Sequence, residues 1–526
     1  MQTEIEIRTG HKRWDELYPR IKSFLTQDTL DMNIDGALIR GYRSPDARSV
    51  WIRDYSDMLR GVRYFEKDLT STVTHFAETQ ARNGRIFDYF TTFPEKPPCE
   101  KENWTKYVRV PVEADVEYRF VKAAFLAWQA CGDDSWIQSL IPSLKAALEY
   151  SLTHPWRWDP SEGLLKRPYT IDTWDFAYTG RRHDWLQFQI DKHTVWGIMH
   201  GDNSGLYEAM VLLAGVLSRF HRTKESRYWL SRAMDIKDRM NRLCWNGRFY
   251  THFVPLIPVD VPEVETARQL SLSNPMAVNR GAADHRMAVS ILNEYRSRRR
   301  ENLFAEWFSI DPPFPPAFFG DDKLTPGAYV NGGIMPLVGG EMARAALEHG
   351  MEIYGVDILN RYARMIESTG KSFLWYFPDG TPSTPDTSTS PEATSTDGWG
   401  SSAMLWAFVE GLAGIQDCGR CFDRLRFCPR WSAAGVEQAR VRVGYPSGQA
   451  ETSYSYECRG NMRLEIRSPA KKIEYHILLP PGTVADRIQA EGRTISFQQN
   501  RIENSLYADW TGHRGKETVE IRLRKE

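Results

Sequence analysis

The chain has 526 residues, 67 Lys+Arg against 68 Asp+Glu, 41% hydrophobic and 26% charged residues. This is a globular profile that excludes collagen-like and fully disordered chains, and a net charge of −1 gives no support for nucleic acid or an anionic membrane as a partner. No apolar run approaches the roughly 18–20 residues of a membrane span, and seven cysteines are too few and too odd for a disulfide framework.

The N-terminal MQTEIEIRTGHKRWDE is charged and lacks an apolar h-region. The sequence as written is therefore expected in the cytoplasm, with a trimmed secreted or periplasmic protein as the alternative. From there, helical periodicity dominates. Trp14, Leu17, Ile21 and Phe24 recur at spacings of three and four, as do Tyr55, Met58, Leu59, Val62 and Phe65. The pattern predicts twelve helices, over 13–27, 54–66, 67–82, 114–131, 134–153, 203–221, 224–243, 278–296, 297–307, 333–349, 352–368 and 400–415.

The links between them alternate. Short ones fall at 66–67, 132–133, 222–223, 296–297 and 350–351; long ones at 28–53, 83–113, 154–202, 244–277, 308–332 and 369–399. Twelve helices joined in this way form six hairpins, which can close into an inner and an outer ring, an (α/α)6 barrel with all long loops on one rim. Loops of this length are uncommon unless functional. An irregular helical solenoid is the alternative.

Beyond about residue 416 the period changes to two. Val441–Val443, Thr452–Tyr456, Met462–Ile466, Ile473–Leu479 and Val519–Leu523 alternate and are separated by turns such as Pro480–Pro481–Gly482. The chain is thus expected to divide into a mainly α barrel over 1–415 and a small antiparallel β-sandwich-like domain over 416–526. The β-region carries 19 basic against 14 acidic residues.

The predicted rim concentrates carboxylates and aromatics. Trp51-Ile52-Arg53-Asp54 precedes a helix: Asp54 reads as an N-cap, but Trp, Arg and Asp together also supply a stacking face, donors and an acceptor. Asp172-Thr173-Trp174-Asp175 lies in the longest loop. Two carboxyls among aromatics there could place one acid in a poorly solvated spot, where desolvation raises its pKa as a general acid requires. At His200-Gly201-Asp202-Asn203, a capping role for Asp202 or Asn203 is favoured. Loop 369–399 offers Asp379, Asp386, Glu392 and Asp397 before Trp399, and Asn331-Gly332-Gly333 precedes another helix. Glu113 and Asp115 also read as caps. Cys418, Cys421, Cys428 and Cys458 lack zinc-site spacing. No G-x-S-x-G, Walker or dinucleotide glycine pattern occurs. No metal and no cofactor is expected.

Taken together, these segments resemble the six-hairpin (α/α)6 glycosidases: glucoamylases, trehalases and α-L-rhamnosidases. Trp51-Ile52-Arg53-Asp54 resembles the Trp-x-Arg-Asp of glucoamylase-type enzymes. Trp174-Asp175-Phe176 resembles the acid-bearing segment of trehalases. Asn331-Gly332-Gly333-Ile334-Met335-Pro336 resembles an Asn-Gly-Gly-x-x-Pro of the superfamily, and Gly398-Trp399-Gly400-Ser401-Ser402-Ala403 the helix start after the catalytic base. Leu478–Thr483 resembles the C-terminal β-domain of α-L-rhamnosidases.

The resemblance implies an inverting, exo-acting glycoside hydrolase on a carbohydrate substrate. Asp175, or alternatively Asp172, would be the acid and Glu392 the base. Trp51, Arg53, Asp54, Trp174, His200, Asp202, Asn331 and Trp399 would hold the sugar. Trp375-Tyr376-Phe377 has no adjacent Glu where the family commonly keeps its base, so Asp379, Asp386 and Asp397 stay open for that role. Lyase, epimerase or phosphorylase chemistry on the same barrel, using for the first two a histidine such as His183, His193 or His200, is the alternative, as is a non-catalytic carbohydrate-binding protein.

Overall fold

A computed structural model describes residues 4–34, 36–91, 107–171, 190–259, 263–301, 303–316, 318, 323–388, 390–512 and 515–526. Twelve α-helices occur among them: α1 Lys12–Gln27, α2 Ile52–Val62, α3 Ser71–Glu78, α4 Val116–Cys131, α5 Asp134–Thr153, α6 His200–Arg219, α7 Thr223–Cys244, α8 Ser273–Asn279, α9 His285–Ser297, α10 Pro336–Glu348, α11 Glu352–Thr369 and α12 Gly398–Trp406. The even-numbered helices touch in sequence, α2 to α4, α6, α8, α10 and α12, and α12 returns to α2, so the inner ring closes. The odd-numbered helices lie outside it. This is an (α/α)6 barrel.

Side-chain chemistry sorts the helices into their layers. Outer α7 buries one stripe, Trp229, Ala233, Ile236, Met240 and Cys244, at the helical repeat of an amphipathic surface helix. Inner α2 is buried at every position from Ile52 to Val62. Inner helices must also approach closely. A Cβ added at Gly340 of α10 would lie 2.5 Å from the Ala403 backbone of α12, so glycine sets that spacing.

One predicted hairpin differs from the structure. Periodicity places helices over 278–296 and 297–307; the pair is instead α8 and α9, linked by residues 280–284. Gly281 sits at φ 76° and ends the first helix, and the Asp284 carboxylate caps the second by accepting from the Met287 amide at 2.9 Å. Residues beyond Ser297 are not helical because their backbone pairs outward: Phe304 N–H donates to Pro378 at 2.7 Å and Met335 N–H to Trp307 at 2.8 Å.

Each inner helix starts at the same rim, where the long loops gather and form small sheets. Leu164–Pro168 pairs with Trp196–Ile198, and Val50–Trp51 with Tyr89–Phe90. At the opposite end, where α4 and α10 finish, sits a β-sandwich. One sheet has seven strands and the other five. Their inner faces meet where Tyr475 donates to Glu517 at 2.7 Å and Phe427 packs on Tyr454. Arg420 donates to the Gly132 carbonyl beyond α4 at 2.7 Å, and Arg430 binds Glu348 of α10 at 2.8 Å, fixing the sandwich to the barrel floor. The N-terminal strand Glu6–Arg8 pairs antiparallel with Gln438–Tyr445, so the chain contributes to this sheet before it enters the barrel. Among the described residues no helix is long and apolar enough to cross a membrane.

Candidate active site

The rim end of the inner ring holds a continuous buried chain of alternating charges. Arg53, in the first turn of α2, donates from Nη2 to Glu113 and from Nε to Asp115 Oδ2 at 3.0 Å. Glu113 also faces Arg167 at 3.6 Å, and Arg167 reaches Asp202 of α6 at 3.4 Å. On the other side Asp115 faces Arg119 at 3.6 Å, and Arg119 binds Asp57 at 2.6 Å. Asp57 Oδ2 in turn accepts from the indole N–H of Trp399 at 2.9 Å. Thus Asp202, Arg53 and Trp399, separated by up to about 350 residues of sequence, are tied into one network running through α6, α2, α4 and α12.

The charges in this network are set by burial and partner. Burial works against ionisation of Asp115 and Asp57. Arg53, Arg119 and Arg167 nevertheless hold Asp115 well below the usual carboxylate range, and Arg119, Arg60 and Lys122 do the same for Asp57. Glu113 goes the other way: burial and the adjacent Asp115 raise it despite Arg53 and Arg167. Asp54 is pushed up to about 7 by burial and by Asp46, against the pull of Arg53. Its Oδ1 accepts from Ser44 at 3.1 Å. Asp88 rises to about 6 through burial, although Arg109 lies 3.2 Å away.

Trp51 is half-buried and packs on Tyr89 with ring centroids 4.1 Å apart. The Arg53 guanidinium lies 5.7 Å from the indole. An aromatic face, a guanidinium and a poorly solvated carboxyl therefore converge within one helical turn.

Several sequence expectations are revised here. Trp51, not Asp54, occupies the N-cap of α2, and Asp54 lies in the first turn. Asp115 is at the N-cap of α4 but makes no side-chain cap; its carboxylate faces arginines instead. Asp202 lies in the first turn of α6 and pairs with Arg167, while the Asn203 amide braces Leu165 and Met199. At Asp115 and Asp202 a buried cation competes for the carboxylate more strongly than a helix N–H does.

His200 is buried, stacked on Tyr250 at 5.1 Å, with Nδ1 3.1 Å from the Thr251 carbonyl. Asn331 is buried and its amide braces its own loop, accepting from Phe314 N–H at 2.7 Å and donating to Leu324 at 2.8 Å.

In loop 369–399, Asp397 is a true N-cap, accepting from Trp399 and Gly400 amides at 3.0 Å each. Asp379 and Asp386 are exposed. Glu392 is half-buried. Its Oε2 accepts from the Arg48 amide at 2.9 Å and its carbonyl accepts from Arg43 at 2.6 Å, joining this loop to the one that carries Trp51.

Asp172, Trp174 and Asp175 lie outside the described residues. The chain leading to them is anchored at the rim. Thr170 accepts from His252 at 2.8 Å, Tyr169 packs on Phe253 at 4.4 Å, and Arg167 belongs to the charged network. Sequence reasoning missed Asp57, Asp88, Arg119 and Arg167. For Asp57, Arg119 and Arg167 the only signal is a charged residue at a buried inner-helix or strand position; Asp88, in the bend before Tyr89–Phe90, carries none. Among the described residues no group of three or more His, Cys, Asp or Glu is arranged to hold a metal ion.

The closed double ring, the loop-built rim and the sandwich under the floor define the six-hairpin glycosidase-like fold. Solved structures share it. The α-L-rhamnosidase of "Dictyoglumus thermophilum" superposes with a TM-score of 0.62 at 12% identity, over 99% of this chain and 50% of that one. The rhamnosidase of Bacillus sp. GL1 gives 0.60 at 15%, over 91% and 43%. The mannosylglycerate hydrolase of Thermus thermophilus gives 0.51 at 14%, over 75% of this chain and 99% of that one. The chain spans about half the length of the rhamnosidase chains it matches. No family model and no curated protein matches it in sequence.

Proposed function

We propose that this protein is a glycoside hydrolase, inverting and exo-acting on a terminal glycosidic bond. The observation that carries the reading is the convergence of Trp51, Arg53 and Asp54 at the rim of an (α/α)6 barrel, backed by buried, alternating charges. A sugar ring needs such a set: a flat apolar face, rigid donors and an acceptor. The network behind Arg53 holds the guanidinium in one orientation, so the entropy of positioning it is settled before substrate arrives.

Asp175 is the proposed acid, with Asp172 as the alternative, and Glu392 the proposed base. Asp175 donates its proton to the leaving oxygen as the anomeric C–O bond breaks. Glu392 takes a proton from the water that attacks the opposite face. Inversion requires the two carboxyl groups about 6.5–9.5 Å apart, leaving room for that water. Glu392 is favoured within its loop because Asp397 is committed to a helix cap and Asp379 and Asp386 lie in open solvent.

The test is a panel of aryl α-L-rhamnosides, mannosides and glucosides, the first two chosen from the named activities of the structural neighbours. The anomeric proton of the first-formed product is followed by NMR. The expected product has inverted configuration, and Asp175→Asn lowers kcat/KM by at least about a hundredfold on substrates with poor leaving groups. Retained configuration, full activity of Asp175→Asn, an ultraviolet-absorbing unsaturated product, or an absolute requirement for phosphate would each overturn the reading.

A further inference from the structure

The solvent face of the seven-stranded sheet sets opposite charges across the register at Glu6–Arg442, Glu457–Arg463 and Arg463–Glu520, but like charges at three other positions. In an antiparallel sheet, opposite charges across the register stabilise and like charges destabilise. Here Arg8 lies directly opposite Arg440, Arg467 opposite Lys516, and Arg487 opposite Arg522. All six are exposed. Three acids of this face are already engaged: Glu6 by Arg8 at 2.5 Å and Arg442 at 2.7 Å, Glu465 and Glu520 by Arg463 at 2.8 and 3.1 Å. Arg440, Arg467 and Lys516 pair with no carboxylate among the described residues.

Between the basic pairs the sheet is low. Ser453 stands between Arg442 and Arg467 in register, and Ser455 between Arg440 and Glu465. These small residues floor a groove of about 350 Å³ walled by Arg8, Arg440, Arg442 and Arg467, with Glu6 and Glu465 at its sides.

We propose that this groove binds an anionic polysaccharide, one carrying uronate or comparable acidic groups, as an accessory glycan site at the far end of the molecule from the rim. Facing arginines are repulsive in the free protein and gain an attractive role when a carboxylate lies between them. Interspersed glutamates and serines match a ligand with hydroxyls between its charges. They disfavour a densely charged polyphosphate such as nucleic acid, which the same glutamates would repel. The choice of a glycan rests on the glycoside-hydrolase reading. Binding is measured without turnover, so the two fail separately.

The experiment is affinity electrophoresis of the full chain in native gels containing polygalacturonate, its methyl ester, neutral dextran or duplex DNA at matched charge. The expected result is retardation by polygalacturonate alone, weakened at least tenfold in Arg440→Gln/Arg467→Gln. That variant should show equal or higher Tm, since repulsion is relieved, and unchanged turnover of a small aryl glycoside. Three outcomes would overturn the proposal: no retardation of the wild type, equal retardation of the variant, or DNA retarding the protein as strongly as polygalacturonate.

Discussion

Arg53 is the residue whose removal tests the site most directly. Its two donors hold apart two buried carboxylates, Glu113 and Asp115. Arg53→Met keeps the volume and removes the charge. Breaking a buried pair by deleting one partner costs about 3–5 kcal/mol, because the other charge is left uncompensated. Here each carboxylate keeps a second cation, Arg167 for Glu113 and Arg119 for Asp115, both at 3.6 Å. These contacts are long, so the lower end applies, about 3 kcal/mol. The loss also depends on pH. Without Arg53 both carboxyls have higher folded pKa values, and a raised folded pKa means stability present at low pH and lost as pH rises. The deficit should therefore be larger at pH 8 than at pH 5. Urea unfolding followed by tryptophan fluorescence at both pH values measures it, alongside kcat/KM on the active aryl glycoside, expected to fall at least about a hundredfold. A deficit below about 1 kcal/mol at both pH values, with activity within fivefold of wild type, would refute the network as the support of the site.

Other expectations follow from single residues. Asp28, buried at the C-cap of α1, accepts from Thr396 at 2.8 Å, and burial pushes it up to about 8 against Thr396 and Arg43. Its folded pKa exceeds the unfolded value of about 3.9, so its contribution is full below pH 4 and is lost as pH rises through 8. Asp28→Asn, which mimics the protonated acid, should gain Tm relative to wild type on going from pH 5 to pH 8; parallel curves in scanning fluorimetry would contradict this. Gly340→Ala forces a methyl against the Ala403 backbone and is expected to cost about 2–3 kcal/mol by urea unfolding. Gly215→Ala, on the exposed face of α6 with nothing within 4 Å, should be neutral or stabilise by about 0.5–1 kcal/mol. Equal effects at the two glycines would show that inner-ring spacing is not fixed at Gly340.

Much of the barrel is legible in the sequence because its determinants are local. The three-and-four spacing of Trp14, Leu17, Ile21 and Phe24 reports one buried helical stripe. The alternation of short and long links reports hairpins opening onto one rim. The shift to a period of two after Ile415 reports the sheet. The α8–α9 hairpin escapes this reading because a continuous apolar period conceals a stop: Gly281 and the Asp284 cap end one helix and begin the next, and periodicity alone gives both the same face.

The residue types of the rim are also legible, since Trp51, Arg53, Asp54, Asp202 and Trp399 stand out among their neighbours. Their roles are not. A carboxylate at a helix start has two ways to be satisfied, a free backbone N–H or a cation, and local sequence contains only the first. Asp115 and Asp202 take the second because Arg53, from α2, and Arg167, from the rim strand Leu164–Pro168, are brought to them through closure of the ring. Pairing of this kind is a property of distance in space, and burial makes it decisive by removing water as a third partner. Local pattern settles which segments become helix or strand and which loops carry the polar residues. Which charges meet is settled by six hairpins closing into one circle, because closure alone brings distant loops within reach of each other.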